Sequence, residues 1–252
     1  TGSTDKTKEI AKKFNAKIFD FKWVDDFSAA RNESIKHATK DWILVLDADE
    51  VVEKNDLEKI KDAISNAENY VVGFSLEQRS YINNFFEGAV KNNADFGLVK
   101  DYPFYIPHSL VRLFKNNLGL HFKHRVHELV EDSINEKNLK YKKLDVVLHH
   151  FGSLKSEGLI SNKTEQYSKL VLKQLEETPE SARYNYQVGR MYLGKNDFSN
   201  ALKYFQKAAK INPNYKLVFS EIAKIYLQMN DKNRAIEHFK KSVKQNPENP
   251  SP

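Results

Sequence analysis

The sequence predicts an α/β domain, a mainly parallel sheet with flanking helices, followed by an all-α domain. Three observations carry this. Helix-like and strand-like segments alternate up to His150, the pattern of a sheet covered by helices. The run Ile43 to Leu46 is continuously apolar, as a strand covered on both faces should be, and it stops abruptly at Asp47, Asp49 and Glu50. From Lys155 onward strand signals vanish, and a set of small and aromatic residues recurs after 34 positions.

In chain order, residues 4–14 predict a short helix opened by Ser3, Thr4 or Asp5 as cap, and Ala16–Phe21 a strand. Asp26–Ala38 predicts a second helix with Ala29, Ala30, Ile35 and Ala38 inward. The Trp42–Leu46 strand follows, then a third helix over Asp56–Asn66 with Leu57, Ile60 and Ile64 at helical spacing. Tyr70–Leu76 predicts a strand. Tyr81–Pro107, rich in Asn, Phe and Tyr, predicts a long loop, a candidate wall for a site. Ser109–Phe114 and Leu120–Val126 predict strands around the Asn116–Gly119 turn, and Asp145–His150 closes the sheet-forming part.

The repeat pairs Gly189, Tyr192, Ala201, Phe205, Ala208 and Pro213 with Ala223, Tyr226, Ala235, Phe239, Ser242 and Pro247. This resembles tetratricopeptide repeats, helix pairs that stack small residues against aromatics. The expected organisation is a first domain over 1–154, a connecting helix over 155–181 and repeats over 182–252. The repeats are either a stabilising or self-associating appendage or a groove for a protein or peptide partner.

Hydrophobic residues make up 40% of the 252, enough for two real cores. Cysteine is absent, which excludes disulfides and thiol chemistry. No apolar run approaches the roughly 20 residues of a membrane helix and no secretory signal begins the chain, so a cytoplasmic protein without a transmembrane segment is expected. A net charge of +6 would suit a polyanion, but Lys and Glu are interspersed along the helices, so no nucleic-acid partner is expected.

Asp47 and Asp49 stand two apart beyond a strand, where ligand sites of open α/β sheets form. Two nearby carboxylates repel unless a cation lies between them, and hard oxygen ligands suit Mg2+ or Mn2+. Alone, such a pair is also what a solvated turn presents. With Thr1–Thr7 and the Asp26–Asn32 segment upstream, in this order and spacing, the chain resembles the family 2 glycosyltransferases of GT-A type. The resemblance implies an inverting transfer from a nucleotide-sugar donor, a UDP-sugar in many members, to a polypeptide or glycan acceptor. It gives Asp47 and Asp49 the metal on the donor diphosphate, Arg31 and Asn32 a place near the nucleotide, and His150, before Phe151 and Gly152, a further metal position. It matches Arg125, Val126, His127 and Glu128 to the acceptor end, with Glu128 as base and His127 orienting it or touching phosphate.

Family members have a strand, a helix and a second strand before a segment like Thr1–Thr7. This chain begins at that segment, so a truncated domain of lower stability is expected. A catalytically inactive scaffold whose repeats bind a partner is the alternative.

Overall fold

The second expected helix starts at its expected cap, Asp26, whereas the first starts at Thr7 after Lys6 and not after Ser3, Thr4 or Asp5, and the helix Glu131–Glu136 was not foreseen. In this computed structural model, which describes residues 1–85, 88–152, 157–215 and 217–245 (side chains of 157–164 excepted), α1 spans Thr7–Lys13 and α2 spans Phe27–Lys36. The Asp26 carboxylate accepts from the Ala29 N–H at 2.9 Å and caps α2. Helix α1 buries nothing, and the expected strand Ala16–Phe21 is irregular chain with Phe19 exposed. With no strand beside it to accept its hydrogen bonds, an apolar alternation alone does not make a strand.

Strands β1 (Trp42–Leu44), β2 (Glu50–Val52), β3 (Val71–Ile82), β4 (Val90–Lys91), β5 (Phe104–Lys115) and β6 (Lys140–His150) form one sheet in the order β1-β5-β3-β6-β2, with β4 on β5. Helix α3 (Lys54–Ser65) precedes β3 and α4 (Glu131–Glu136) precedes β6. Only β3 and β6 pair in parallel among the described residues; β1–β5, β3–β5, β2–β6 and β4–β5 are antiparallel. The α/β class stands, but the mainly parallel sheet is corrected to a mixed one. Among the described residues the chain returns from β3 to β5 through β4 with no helix, the kind of connection that joins antiparallel neighbours.

Two further expectations change. The long loop over Tyr81–Pro107 is shorter, because β3 continues to Ile82 and β5 begins at Phe104. Leu120–Val126 is not a strand: only a bridge between Lys123 and Leu129 forms there, with His124 and His127 at positive φ of 80° and 54°.

Apolar side chains cover both faces of the sheet. On one, Val72, Val111 and Phe114 pack with Phe122, Val130 and Ile134, and with Ile35 of α2. On the other, Val71, Phe74, Leu76 and Val146 pack with Ile60 and Ile64 of α3. The segment Val45–Asp49 joins β1 at one margin of the sheet to β2 at the other, so it crosses the ends of the intervening strands. That crossing puts both aspartates over the sheet edge.

The chain divides into Thr1–Ile160 and Ser161–Pro252. Helix α5 (Glu157–Glu177) is followed in the second unit by α6 (Ala182–Gly194), α7 (Phe198–Ile211), α8 (Val218–Gln228) and α9 (Lys232–Gln245). Leu159 and Ile160, expected as apolar positions of the connecting helix, lie outside the described side chains. Ala201, Phe205, Ala208, Val218, Ile222, Ile225, Tyr226 and Ala235 form the helical core. Gly189 of α6 sits on the Phe205 ring so closely that a Cβ there would lie 2.7 Å from Cδ1. The small-against-aromatic repeat thus has a steric origin. No helix among the described residues is long and apolar enough to cross a membrane.

Candidate active site

The turn after β1 is built by its own acids. The Glu50 N–H donates to the Asp47 carbonyl at 3.0 Å, and Glu50 Oε2 accepts the Asp47 N–H at 2.7 Å. The other oxygen of Glu50 accepts from Arg112 Nη2 of β5 at 3.0 Å and from Gln78 Nε2 of β3 at 3.1 Å. This carboxylate is wholly buried, and burial pushes its pKa up even though the Arg112 charge opposes the shift. Removing one member of such a buried pair costs far more than the pair itself contributes.

The Asp47 side chain is engaged by Arg31. Its two oxygens accept from Arg31 Nη1 and Nη2, each at 2.8 Å, and Arg112 Nη2 stands 3.5 Å from Oδ2. Burial would raise the Asp47 carboxyl, but the Arg31 fork and the two guanidinium charges outweigh it and hold the pKa below its ordinary value. Arg31 uses its Nε on Glu128 Oε1 at 2.5 Å, and its guanidinium lies 5.5 Å from the centre of the Phe122 ring. One cation therefore ties the expected donor carboxylate to the expected base.

Asp49 meets His150 where β2 pairs with the end of β6. Its carbonyl accepts the Phe151 N–H at 3.0 Å, and its Oδ1 stands 3.8 Å from His150 Nε2. The other ring nitrogen, Nδ1, is hydrogen-bonded to Ser80 Oγ at 2.9 Å, which fixes the ring and leaves Nε2 towards Asp49. An imidazole anchored at one nitrogen in this way is how metal-binding histidines are held. Gly152 borders the same space: a Cβ there would come 2.5 Å from His150 Nε2 and 2.9 Å from Asp49 Oδ2. The donor chemistry of Asp47, Asp49 and His150 fits a divalent cation, although among the described residues no three metal-ligating side chains stand gathered as a ready site. Asp47 would first have to share its oxygens with Arg31.

Other expected site residues are placed differently. Asn32 commits both ends of its amide to the Phe122 backbone, donating to the carbonyl at 2.9 Å and accepting the N–H at 2.7 Å. It braces the chain that carries Glu128. Arg125 donates from Nη1 to the Asp25 carbonyl at 3.3 Å, and its own carbonyl accepts the Phe27 N–H, so it joins the start of α2. His127 is exposed on the turn before Glu128. His149 points away from His150, buried between Tyr81 and Phe96 and hydrogen-bonded to the Tyr81 hydroxyl at 2.7 Å.

The sequence model of glycosyl transferase family 2 matches residues 1–138, more than half of the chain. The chain belongs to this family. A tetratricopeptide repeat model matches residues 192–251, so this family 2 domain is followed by tetratricopeptide-type helices. The SPbeta prophage-derived glycosyltransferase SunS of Bacillus subtilis is 29% identical over 218 residues, covering 85% of this chain and 46% of SunS. A TPR repeat-containing protein of Synechococcus elongatus is 29% identical over 217 residues, covering 83% of this chain and 48% of its own length. The chain thus spans about half the length of the curated relatives it matches. A crystal structure of MamA, 16% identical, covers 35% of this chain and 52% of MamA at a TM-score of 0.33, too low to bear on the fold.

Sequence reasoning passed over Arg112 and Ser80, and it saw Glu50 and Gly152 without giving them work. Two signals were present. Arg112 is a lone charge inside the apolar run Leu110–Phe114, and Gln78 and Ser80 are polar within an otherwise buried strand. Charges in such positions need buried partners, and here the partners are the acids of the turn.

Proposed function

We propose that the chain is the part of an inverting glycosyltransferase that holds a nucleotide-sugar diphosphate, a UDP-sugar, and presents the base for the acceptor. The observation that supports this reading is that Asp49 stands by His150 where β2 pairs with β6, while Asp47 of the same turn is linked through Arg31 to Glu128. Asp49 and His150, with Asp47, would hold Mn2+ or Mg2+; an imidazole in the set favours Mn2+. The cation, when bound, stabilises the charge on the departing diphosphate. Arg31 turns part of its fork to the phosphate oxygens, Glu50 and Arg112 keep the Asp47–Glu50 turn in place, and Glu128 accepts the proton of the incoming hydroxyl or thiol. The SunS relative bears the name of a glycosyltransferase, which supports the reaction class. The helical repeats offer a surface for a protein partner, a polypeptide acceptor among the candidates.

Release of UDP from a panel of UDP-sugars, with and without Mn2+, tests this. Asp49→Ala should lower the metal-dependent rate about a hundredfold or more, the scale of losing a main electrostatic contributor. Full activity in that variant would remove the metal assignment.

A further inference from the structure

Among the described residues, Arg31 is the side chain that touches both Asp47 and Glu128, the two halves of the proposed machinery. Its end-on fork fills both oxygens of Asp47, and its Nε holds Glu128 at 2.5 Å. A guanidinium has five N–H donors in a rigid plane, so three are engaged and two remain. The plane is kept in place by Phe122, whose backbone is clamped by Asn32, the next residue of α2. Arg31 and Glu128 are therefore fixed to the same local frame, and side-chain exposures of 21% and 11% shield their contact from water.

As long as Arg31 holds Glu128, one of the two carboxylate oxygens is committed to the guanidinium and the side chain is tied to that contact. A diphosphate placed against Asp47 brings oxygens that compete for the same guanidinium.

We propose that Arg31 is a shared counter-ion for which Glu128 and the donor diphosphate compete, so that donor binding loosens Arg31 from Glu128. This rests on the donor-site reading above. In the donor-free state the two carboxylates hold Arg31 between them. When a diphosphate binds, its oxygens draw the guanidinium away from Glu128, and the released carboxylate faces the acceptor. Glu128 and the diphosphate therefore compete for Arg31. Weakening the grip of Glu128 should tighten donor binding, which a residue serving only as a base would not do.

The test is a titration of the whole chain with UDP in the presence of Mn2+, followed by calorimetry, for wild type, Glu128→Gln, Arg31→Gln and the double variant. Replacing a charge-assisted hydrogen bond by a neutral one should tighten UDP about fivefold in Glu128→Gln. Arg31→Gln should weaken UDP at least tenfold, and in that background Glu128→Gln should change nothing. Equal affinities of wild type and Glu128→Gln, or the same tightening with Arg31 absent, would overturn the proposal while leaving the donor site standing. Failure of wild type to bind UDP with Mn2+ would overturn the donor-site reading and this inference with it. Trp23 and Trp42 fluorescence melts of each variant check that folding is unchanged.

Discussion

Residues 1–160 carry 24 Lys and Arg against 25 Asp and Glu, whereas residues 161–252 carry 16 against 9, so the positive surplus of the protein lies entirely in the helical unit. The first unit brings its charges inside. Glu50 and Arg112 are buried between β2, β3 and β5, and Arg31, Asp47 and Glu128 form a half-buried chain beside them. In the helical unit the core is built mainly from apolar contacts, with Gly189 giving room to Phe205, and most charges stand on the outside, Glu221, buried and paired with Arg190, being an exception. Buried charges are costly to keep, so where they cluster, as in the first unit, they serve position; a core of small residues on aromatics rests mainly on shape.

The contrast can be broken from either side, and the two tryptophans make it measurable, because Trp23 and Trp42 both lie in the first unit while helix content is concentrated in the second. The largest effect is expected from Glu50→Ala, which strands the Arg112 guanidinium in the interior and should cost about 3–5 kcal/mol. In a urea melt the tryptophan transition should move to lower urea while the helical far-ultraviolet transition stays. Coincident movement of both would mean that the units do not unfold separately. Gly189→Ala should do the reverse, destabilising the helices by about 1–2 kcal/mol through the clash with Phe205, despite the better helix propensity of alanine. Asp26→Ala removes the α2 cap and should cost about 1 kcal/mol, read by the tryptophan melt.

The smallest effect is in pH. The folded pKa of Asp47 lies below the ordinary 3.8, so the unfolded chain takes up the proton first and the fork's contribution, present above that value, is lost as pH falls through the folded pKa. Glu50 is shifted upward from 4.5, so stability falls instead as pH rises from 4.5 through its folded value. Asp47→Asn should flatten the acid-side loss and leave the Glu50 trend; an unchanged acid-side profile would contradict the Arg31 fork.

Much of this architecture was legible because its causes are local. The Asp26 cap, the apolar stripe of α3, the acids that follow a strand and the small-aromatic periodicity of the repeats each follow from neighbours in sequence, whereas the expected strand Trp42–Leu46, read as covered on both faces, ends at Leu44 on the sheet margin and leaves Leu46 exposed. What was hidden depends on partners far along the chain. Phe104–Lys115 was half hidden by Pro107 and His108, yet pairing with β3 extends the strand through both. Ala16–Phe21 has a strand-like composition but no partner strand among the described residues, and Leu120–Val126 is held by the Asn32 amide, with His124 at positive φ, instead of by a ladder. Asp47, Asp49, His150, Arg31 and Glu128 were all found as motifs, but the Arg31 bridge between two of them, and the Glu50–Arg112 brace beneath, connect residues separated by 16, 97 and 62 positions. No pattern within one segment encodes such a bond.

The most direct measurement is a crystal of the chain grown with UDP and Mn2+, with anomalous diffraction recorded at the manganese edge. The account predicts a single metal peak bonded to Asp49 and His150 Nε2 and sharing Asp47, with a diphosphate beside it and the Arg31 guanidinium turned onto phosphate. A manganese peak elsewhere, or UDP bound with Asp49 and His150 facing away from it, would contradict the account.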